Sequence, residues 1–301
     1  MNPGRMEPLT TRWRTSLTRR SLVGWSAGAA ALAVPAIAQA SAVKPQSGVH
    51  MTQSSPAASP AATTAPTVVL VHGAFADASG WAGVITLLQA QGVQTMAPAN
   101  PLRGVSSDAA YIASVVRQIP GPVLLVGHSY GGVVITNASP QAENVVGLVY
   151  AAAFLPDEGE SVQALAEQAT DSLLGSNLRP AEYPLPDGSV GHELYIDQAA
   201  FHEVFCADLP AEQAAMMAVS QRPGADIGFG EPSGPAGWKT LPSWAIVATG
   251  DMTIGVSGER FMAERAGAIT IEVDASHVVM MSQPEVVADT IMSALATLDL
   301  A

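Results

Sequence analysis

The segment Gly127-His128-Ser129-Tyr130-Gly131-Gly132 places a serine two residues from a glycine on either side. It follows the apolar run Val123-Leu124-Leu125-Val126 and precedes the apolar helical stretch Val133 to Ala138. Gly-x-Ser-x-Gly between a buried strand and a helix is the pattern of a sharp turn that lifts a serine hydroxyl above a sheet. The spacing has a steric reason. Such a turn strains the backbone at the serine, and the residues two positions away must lack bulk for the chain to pass itself. The following helix points its N-terminus, with partial positive charge, at the hydroxyl, where it favours a developing oxyanion. The chemistry implied is nucleophilic catalysis, which requires a base for the hydroxyl and an acid to orient that base.

Six histidines are available as the base. His50 lies in a polar N-terminal tract, His72 and His128 sit beside glycines in tight strand-end loops, and His192 and His202 belong to a long insertion. His277 follows the last strand, in Val273-Asp274-Ala275-Ser276-His277, where a loop can carry it back over Ser129. It is the expected base. Asp251 follows the run Trp244 to Ala248 through Thr249-Gly250, at the same sheet edge and in the chain order Ser, Asp, His. It is the expected acid, with Asp157 and Asp274 as competitors. Asp274 is too near His277 along the chain to reach the outer ring nitrogen easily, and Asp157 would move the acid one strand over. An oxyanion also needs two backbone N–H donors, one of them from the residue after the nucleophile, Tyr130. The other comes from the loop His72-Gly73-Ala74-Phe75, with Ala74 as first choice and Phe75 as the alternative.

Positioning these loops requires a layered α/β domain from Thr67 onward. Val68-Val69-Leu70-Val71 is a short apolar strand, followed by Trp81, Val84, Ile85 and Leu88 at helical spacing. Gln94 to Ala97 is a second short strand, and Asp108 can cap a helix with Ile112, Val115, Val116 and Ile119 inward. Val123 to Val126 and Val145 to Tyr150 are further strands. After the insertion come Trp244 to Ala248, a helix around Glu259 to Ala266, the strand Ile269 to Val273, and a last helix from Pro284 with Val287, Ile291 and Leu298 inward. Continuous rather than alternating apolar strands between helices predict a mostly parallel, doubly wound sheet covered on both faces. Between about 155 and 243 the pattern breaks into helical pieces, the turn Pro186-Asp187-Gly188, and prolines and glycines from 222 to 237. An insertion at the carboxyl end of a strand lies over the edge where such sheets bind ligands, so it is expected to form a cap with the substrate pocket. Phe201, Phe205, Met216, Met217 and Trp238 are its candidate apolar wall, or the small core of the cap itself.

The first forty residues have the architecture of an export signal. Four arginines between Arg12 and Arg20 lead into the mildly apolar, Ala-rich stretch Leu22 to Ala38, and Ala38-Gln39-Ala40 supplies a small-x-small cleavage pattern. The pair Arg19-Arg20 resembles a twin-arginine signal, so the twin-arginine export machinery is an expected partner and cleavage is expected after Ala40. The apolar stretch, interrupted by Pro35, is short and dilute for a membrane anchor. Residues 41–66, rich in Ser, Ala, Pro and Thr, read as a flexible linker, leaving 67–301 as the folded domain. A periplasmic or secreted location follows.

Of the 301 residues, 48% are hydrophobic and 13% charged, which suits a sizeable core. A formal net charge of −13 argues against nucleic-acid and anionic-membrane surfaces and favours a small-molecule substrate. Cys206, the single cysteine, allows no intramolecular disulfide and no Cys-rich zinc site.

Val69-Leu70-Val71-His72-Gly73-Ala74-Phe75 with Trp81, the Ser129 segment, Gly250-Asp251 and Ser276-His277 together resemble the α/β-hydrolase superfamily. The similarity is greatest to the branch of small esterases that includes methyl-salicylate esterases and hydroxynitrile lyases, and it covers nearly all of residues 67 to 300. The resemblance implies an eight-stranded core, here lacking the first two strands, a helical cap after the sixth, and no cofactor or metal. It implies Ser129 as nucleophile, Asp251 as acid, His277 as base, and the amides of Ala74 and Tyr130 as oxyanion donors. Relatives often carry a charged pair and prolines after the acid, whereas Asp251-Met252-Thr253-Ile254-Gly255-Val256 lacks them, which predicts a looser loop. The expected function is an exported serine hydrolase of small carboxylic esters acting through an acyl-enzyme. Lactonase, amidase, hydroxynitrile-lyase-like and non-catalytic ligand-binding functions are the alternatives. A lyase of this kind would want a cationic lysine in the pocket, and only Lys44 and Lys239 exist.

Overall fold

The computed structural model describes residues 65–298; the expected export signal and almost all of the linker lie outside the described residues. The order of elements follows the hydropathy pattern. The strand β1 (Thr67–Val71) leads to α1 (Ala82–Ala90), β2 (Gln94–Met96), α2 (Val105–Val116), β3 (Val123–Ser129), α3 (Tyr130–Ala138) and β4 (Val145–Ala153). An insertion follows, comprising α4 (Val162–Gln168), α5 (Leu174–Asn177), β5 (Leu178–Pro184), β6 (Val190–Ile196), α6 (Phe201–Phe205), α7 (Ala211–Ser220), β7 (Gly224–Ala225) and α8 (Asp226–Gly230). The layered pattern resumes with β8 (Ser243–Ala248), α9 (Val256–Arg265), β9 (Ile269–Val273), α10 (Val279–Ser282) and α11 (Pro284–Thr297).

Six strands form one sheet in the order β2-β1-β3-β4-β8-β9, and every neighbouring pair is parallel. Every residue of β1, β3 and β8 is buried, which requires cover on both faces of the sheet. Fully buried Trp81, Leu88, Ile112, Leu124, Leu125, Ile135 and Leu148 fill the spaces between sheet and helices. Each such side chain contributes about 2 kcal/mol on transfer from water. Because the strands are parallel, the segments after β1, β3, β4, β8 and β9 all emerge at one edge. The four candidate loops and the insertion share that edge for this reason alone.

Three differences from the sequence reading have physical causes. Helix α2 starts at Val105 with Gly104 at its N-cap, so Asp108 lies inside the first turn. Its carboxylate reaches back to accept the amides of Arg103 (3.2 and 3.1 Å) and Gly104 (3.4 Å), satisfying N-terminal donors from within. Strand β9 is an edge strand, and Ile269 (60%) and Ile271 (37%) are exposed rather than covered. The cap contains the expected helices and also an antiparallel sheet, β5-β6-β7, whose first two strands form a hairpin around Pro186-Asp187-Gly188. Asp187 fixes that turn by accepting the amide (2.9 Å) and hydroxyl (2.6 Å) of Ser189.

Candidate active site

At the end of β3 the backbone turns through Ser129 with φ 54° and ψ −125°. A positive φ at a non-glycine residue costs on the order of 1–3 kcal/mol and persists only where the surroundings enforce it. Here the enforcement is close packing. A Cβ on Gly127 would lie 2.7 Å from the carbonyl oxygen of Gly131, and one on Gly131 would collide with the carbonyl of Val71. Both glycines are therefore demanded by the crossing of β1, β3 and α3. Pairing between β3 and β4 shifts register between His128 and Ser129, where the strand gives way to the helix.

The loop after β1 runs directly beside this turn. A Cβ on Gly73 would sit 2.6 Å from Ser129 Cβ and 3.1 Å from Ser129 Oγ, so only glycine fits there. Buried His72 shapes the loop: its Nε2 accepts the Asn100 amide (2.9 Å), which leaves Nδ1 to donate to the Gly73 carbonyl (2.9 Å). Burial lowers the His72 pKa and keeps the ring neutral, as this bonding pattern requires. Phe75 takes φ 64° and donates its amide to the carbonyl of Arg222 in the cap (2.7 Å). That N–H is occupied. The amide of Ala74 makes no hydrogen bond among the described residues, and Tyr130 N–H opens α3, where first-turn amides lack helical acceptors. Of the two loop candidates, Ala74 is thus the one with a free donor. The Tyr130 side chain points away, donating to Asp108 (3.1 Å).

His277 and Asp251 meet at the far side of the same edge. Both are fully buried, and His277 Nδ1 donates to Asp251 Oδ2 at 2.6 Å. Asp251 Oδ1 accepts the amides of Thr253 (2.6 Å) and Ile254 (3.0 Å). Burial alone would raise the Asp251 pKa, but attraction to His277 and these hydrogen bonds outweigh it and hold the carboxyl below its ordinary value. The other His277 nitrogen, Nε2, is buried and has no hydrogen-bond partner among the described residues. His128, next to Ser129 in the chain, donates from Nε2 to the His277 carbonyl (2.9 Å), and the two rings lie 4.6 Å apart. Burial, then the neighbouring His277, pushes the His128 pKa well down, so it acts as a neutral donor. Of the competing carboxylates, Asp157 pairs with Lys239, and Asp274 makes no side-chain hydrogen bond to His277 among the described residues. Lys239 is thereby engaged outside the site. Burial pushes the Cys206 thiol up to about 12, which removes it as a thiolate nucleophile.

The acid loop is tied down rather than loose. Thr253 Oγ1 donates to Val204 (2.7 Å), Ser172 Oγ donates to the Thr253 carbonyl (2.7 Å), and the Leu173 amide donates to Met252 (2.8 Å). Cap residues do the work that prolines would otherwise do. Asp208 similarly holds both the amide (2.9 Å) and the hydroxyl of Ser276 beside His277. These clamps carry no local sequence signal, since each joins residues about fifty to eighty positions apart.

Among the cap aromatics singled out from sequence, Phe205 packs on the rings of His277 (5.1 Å), Phe75 (6.2 Å) and His128 (6.4 Å), with Phe201 behind it. Met217 is half-buried beside Phe75, whereas Met216 is exposed. Trp238 faces Arg265 and Lys239 and donates to the Pro156 carbonyl (2.9 Å). Phe229 was not evident from sequence, yet it stacks on Phe75 (6.1 Å) and leans on Tyr130 (5.7 Å). It also lines a cap cavity of about 560 Å³, whose wall includes Val162, Ala166, Leu174, Leu178 and Leu194.

Residues 68–290 match the model of the alpha/beta hydrolase family. A pyrethroid hydrolase of Sphingobium wenxiniae is 25% identical over 245 residues, 76% of this chain and 87% of the relative. Methylesterase 8 of Arabidopsis thaliana is 23% identical over 250 residues, 75% of this chain and 88% of the relative. A carbendazim hydrolyzing esterase of a Nocardioides species is 32% identical, but over 114 residues, 34% of this chain and 47% of the relative. Among solved structures, polyneuridine aldehyde esterase superposes with a TM-score of 0.64 at 20% identity, covering 77% of this chain and 99% of that one.

Proposed function

The chain belongs to the alpha/beta hydrolase family, and from that membership and the site's geometry we propose that it is an exported serine hydrolase of small carboxylic esters. The observation that carries the reading is the pairing of buried His277 with Asp251 at the edge where the strained turn presents Ser129. In the proposed cycle Ser129 Oγ attacks the ester carbonyl while His277 Nε2 takes its proton, and Asp251 stabilises the imidazolium through Nδ1. The carbonyl oxygen, now an anion, is held by the amides of Ala74 and Tyr130. Collapse expels the alcohol, which receives the proton from His277. Water, deprotonated by the same ring, then releases the acid and restores Ser129. The names of the relatives, methylesterase and pyrethroid hydrolase, support an ester as the substrate. Engagement of Lys239 by Asp157 counts against the lyase alternative. Residues 1–40 act in this reading as a twin-arginine leader cleaved after Ala40, giving a periplasmic or secreted enzyme; the mass of the exported chain tests that boundary.

The catalytic reading is tested by comparing the full chain with Ser129→Ala on a short and a long activated acyl ester. An initial burst and steady turnover are expected from the wild type, and a loss of roughly four orders of magnitude or more in the equally folded variant. Turnover that survives in Ser129→Ala, or a folded wild type inert to both esters, would reject it.

A further inference from the structure

Behind the acid of the site lies a second carboxyl group that the proposed cycle does not use. Glu259 sits in the first turn of α9, on the inward stripe that also contains Met262 and Ala263, and is only 2% exposed. Its Oε2 accepts the amide of Ala248 (3.1 Å), the last residue of β8, three positions before Asp251. Its Oε1 is buried, and no N–H or O–H among the described residues reaches it. Asp251 is anchored to the same residue from the other side, its amide donating to the Ala248 carbonyl (3.1 Å), and this shared anchor brings its carboxyl group beside Glu259. Two carboxyl groups in contact away from water cannot both be ionised; one proton must lie between them.

Which group keeps the proton is decided by the partners. Asp251 accepts two backbone amides and the His277 ring, three donors that favour its charged form. Glu259 has a single amide. The remaining charged and titratable groups around the pair do not reverse this. Asp171, bound to Ser257 at the start of α9, adds negative charge, Arg260 is engaged by Glu272, and His128 lies beyond His277 as a neutral donor. Burial first, and the Asp251 charge second, push the Glu259 pKa well up.

We propose that Glu259 is a positioning residue: an uncharged carboxylic acid whose Oε1–H donates to Asp251, fixing that carboxylate against His277 and drawing off part of its charge. The inference rests on the hydrolase reading for its effect on turnover, though not for the protonation state. A neutral donor behind Asp251 lowers the basicity of that carboxylate and so weakens its hold on the His277 Nδ1–H.

Glutamine reproduces both bonds, with Oε1 accepting the Ala248 amide and Nε2 donating to Asp251, whereas leucine of similar size reproduces neither. In the full chain, Glu259→Gln is expected to keep kcat/KM within about threefold and leave the acid limb of the pH profile in place. Glu259→Leu is expected to lower kcat at least about tenfold, with KM little changed, and to move the acid limb to higher pH. A leucine variant with wild-type kcat and limb would overturn the proposal. So would a glutamine variant whose limb moves to lower pH, because that is the signature of removing a negative charge. Melting temperature supplies a readout independent of catalysis. Folding holds a proton on wild-type Glu259 that the unfolded chain releases above pH 4.5, so the wild type loses stability relative to Glu259→Gln as pH rises past that value. The gap between the two is expected to widen from pH 4 to 8; a gap independent of pH would show Glu259 ionised in the fold and refute the assignment. A wild type without esterase activity would reject the hydrolase reading, leaving the melting series and the His277 Nδ1–H proton resonance, unchanged by glutamine and shifted by leucine, to decide this one.

Discussion

The sheet and the cap solve different problems with different kinds of residue. In β1, β3 and β8 every side chain is buried, and the strands pair in parallel register with helices on both faces. In β5 and β6 only Ile196 is buried, and the hairpin is held by its own antiparallel ladder and a local turn. The sheet has little freedom and fixes the strained turn at Ser129. The cap is more open, yet it sends Phe205, Asp208, Val204 and Arg222 down to the loops at the sheet edge. The position of the Ser129 turn is thus set by sheet geometry, while the cap ties down the loops around it.

If that division is correct, changes at the sheet edge should abolish chemistry and changes in the cap should redirect it. The largest effect after loss of Ser129 itself is expected from Asp251→Asn. The amide preserves shape but offers Nδ1 the wrong partner, and kcat should fall by about 10⁴ while the fold, by circular dichroism, is retained. Gly73→Ala comes next. Its Cβ would meet Ser129 Cβ at 2.6 Å and the His128 carbonyl at 2.9 Å, so the turn must shift, with an expected loss of about 1–3 kcal/mol in denaturant unfolding and roughly 100-fold in turnover. Phe229→Ala should leave hydrolysis of a short ester within a few-fold but raise the kcat/KM ratio of bulky to short esters, because it opens Phe75 and Tyr130 to the cavity behind. An unchanged ratio would separate that cavity from the substrate. Asp187→Ala, at the hairpin tip, should change neither turnover nor melting temperature by more than about 2 °C, and a larger loss would mean the cap hairpin is coupled to the sheet.

The two regions also differ in how far they could be read from the chain. Apolar runs such as Val68–Val71 and Val123–Val126 placed the strands of the sheet, and the glycines around Ser129 placed the turn, because burial on both faces and close backbone passage leave few residue types available. Ser129, Asp251 and His277 were legible as candidates because each lies at or just after the end of an apolar strand, and parallel strands gather those ends at one edge. Local competition was harder: Asp108 suggested a helix start, but Gly104 took that place and Asp108 bonded back to it from within the first turn. The missing prolines after Asp251 suggested a loose loop, while hydrogen bonds from Ser172, Leu173 and Thr253 hold it. Glu259 left one legible trace, an acidic residue three and four positions before buried Met262 and Ala263 on one helical face, and without a partner in view that trace had no meaning.

By itself the sequence determined the types of element, their order, and hence which loops a parallel sheet gathers at one edge. Hydrophobic period and backbone sterics act over a few residues, so they are written locally. Only the tertiary structure decided which donor remains free on the loop after β1, that Asp251 and not Asp157 meets His277, that Phe229 and Phe205 wall the site, and that a second carboxyl group stands behind the first. Those outcomes depend on contacts between distant segments, where burial withdraws water and makes each hydrogen bond and proton answerable to whatever group the fold places next to it.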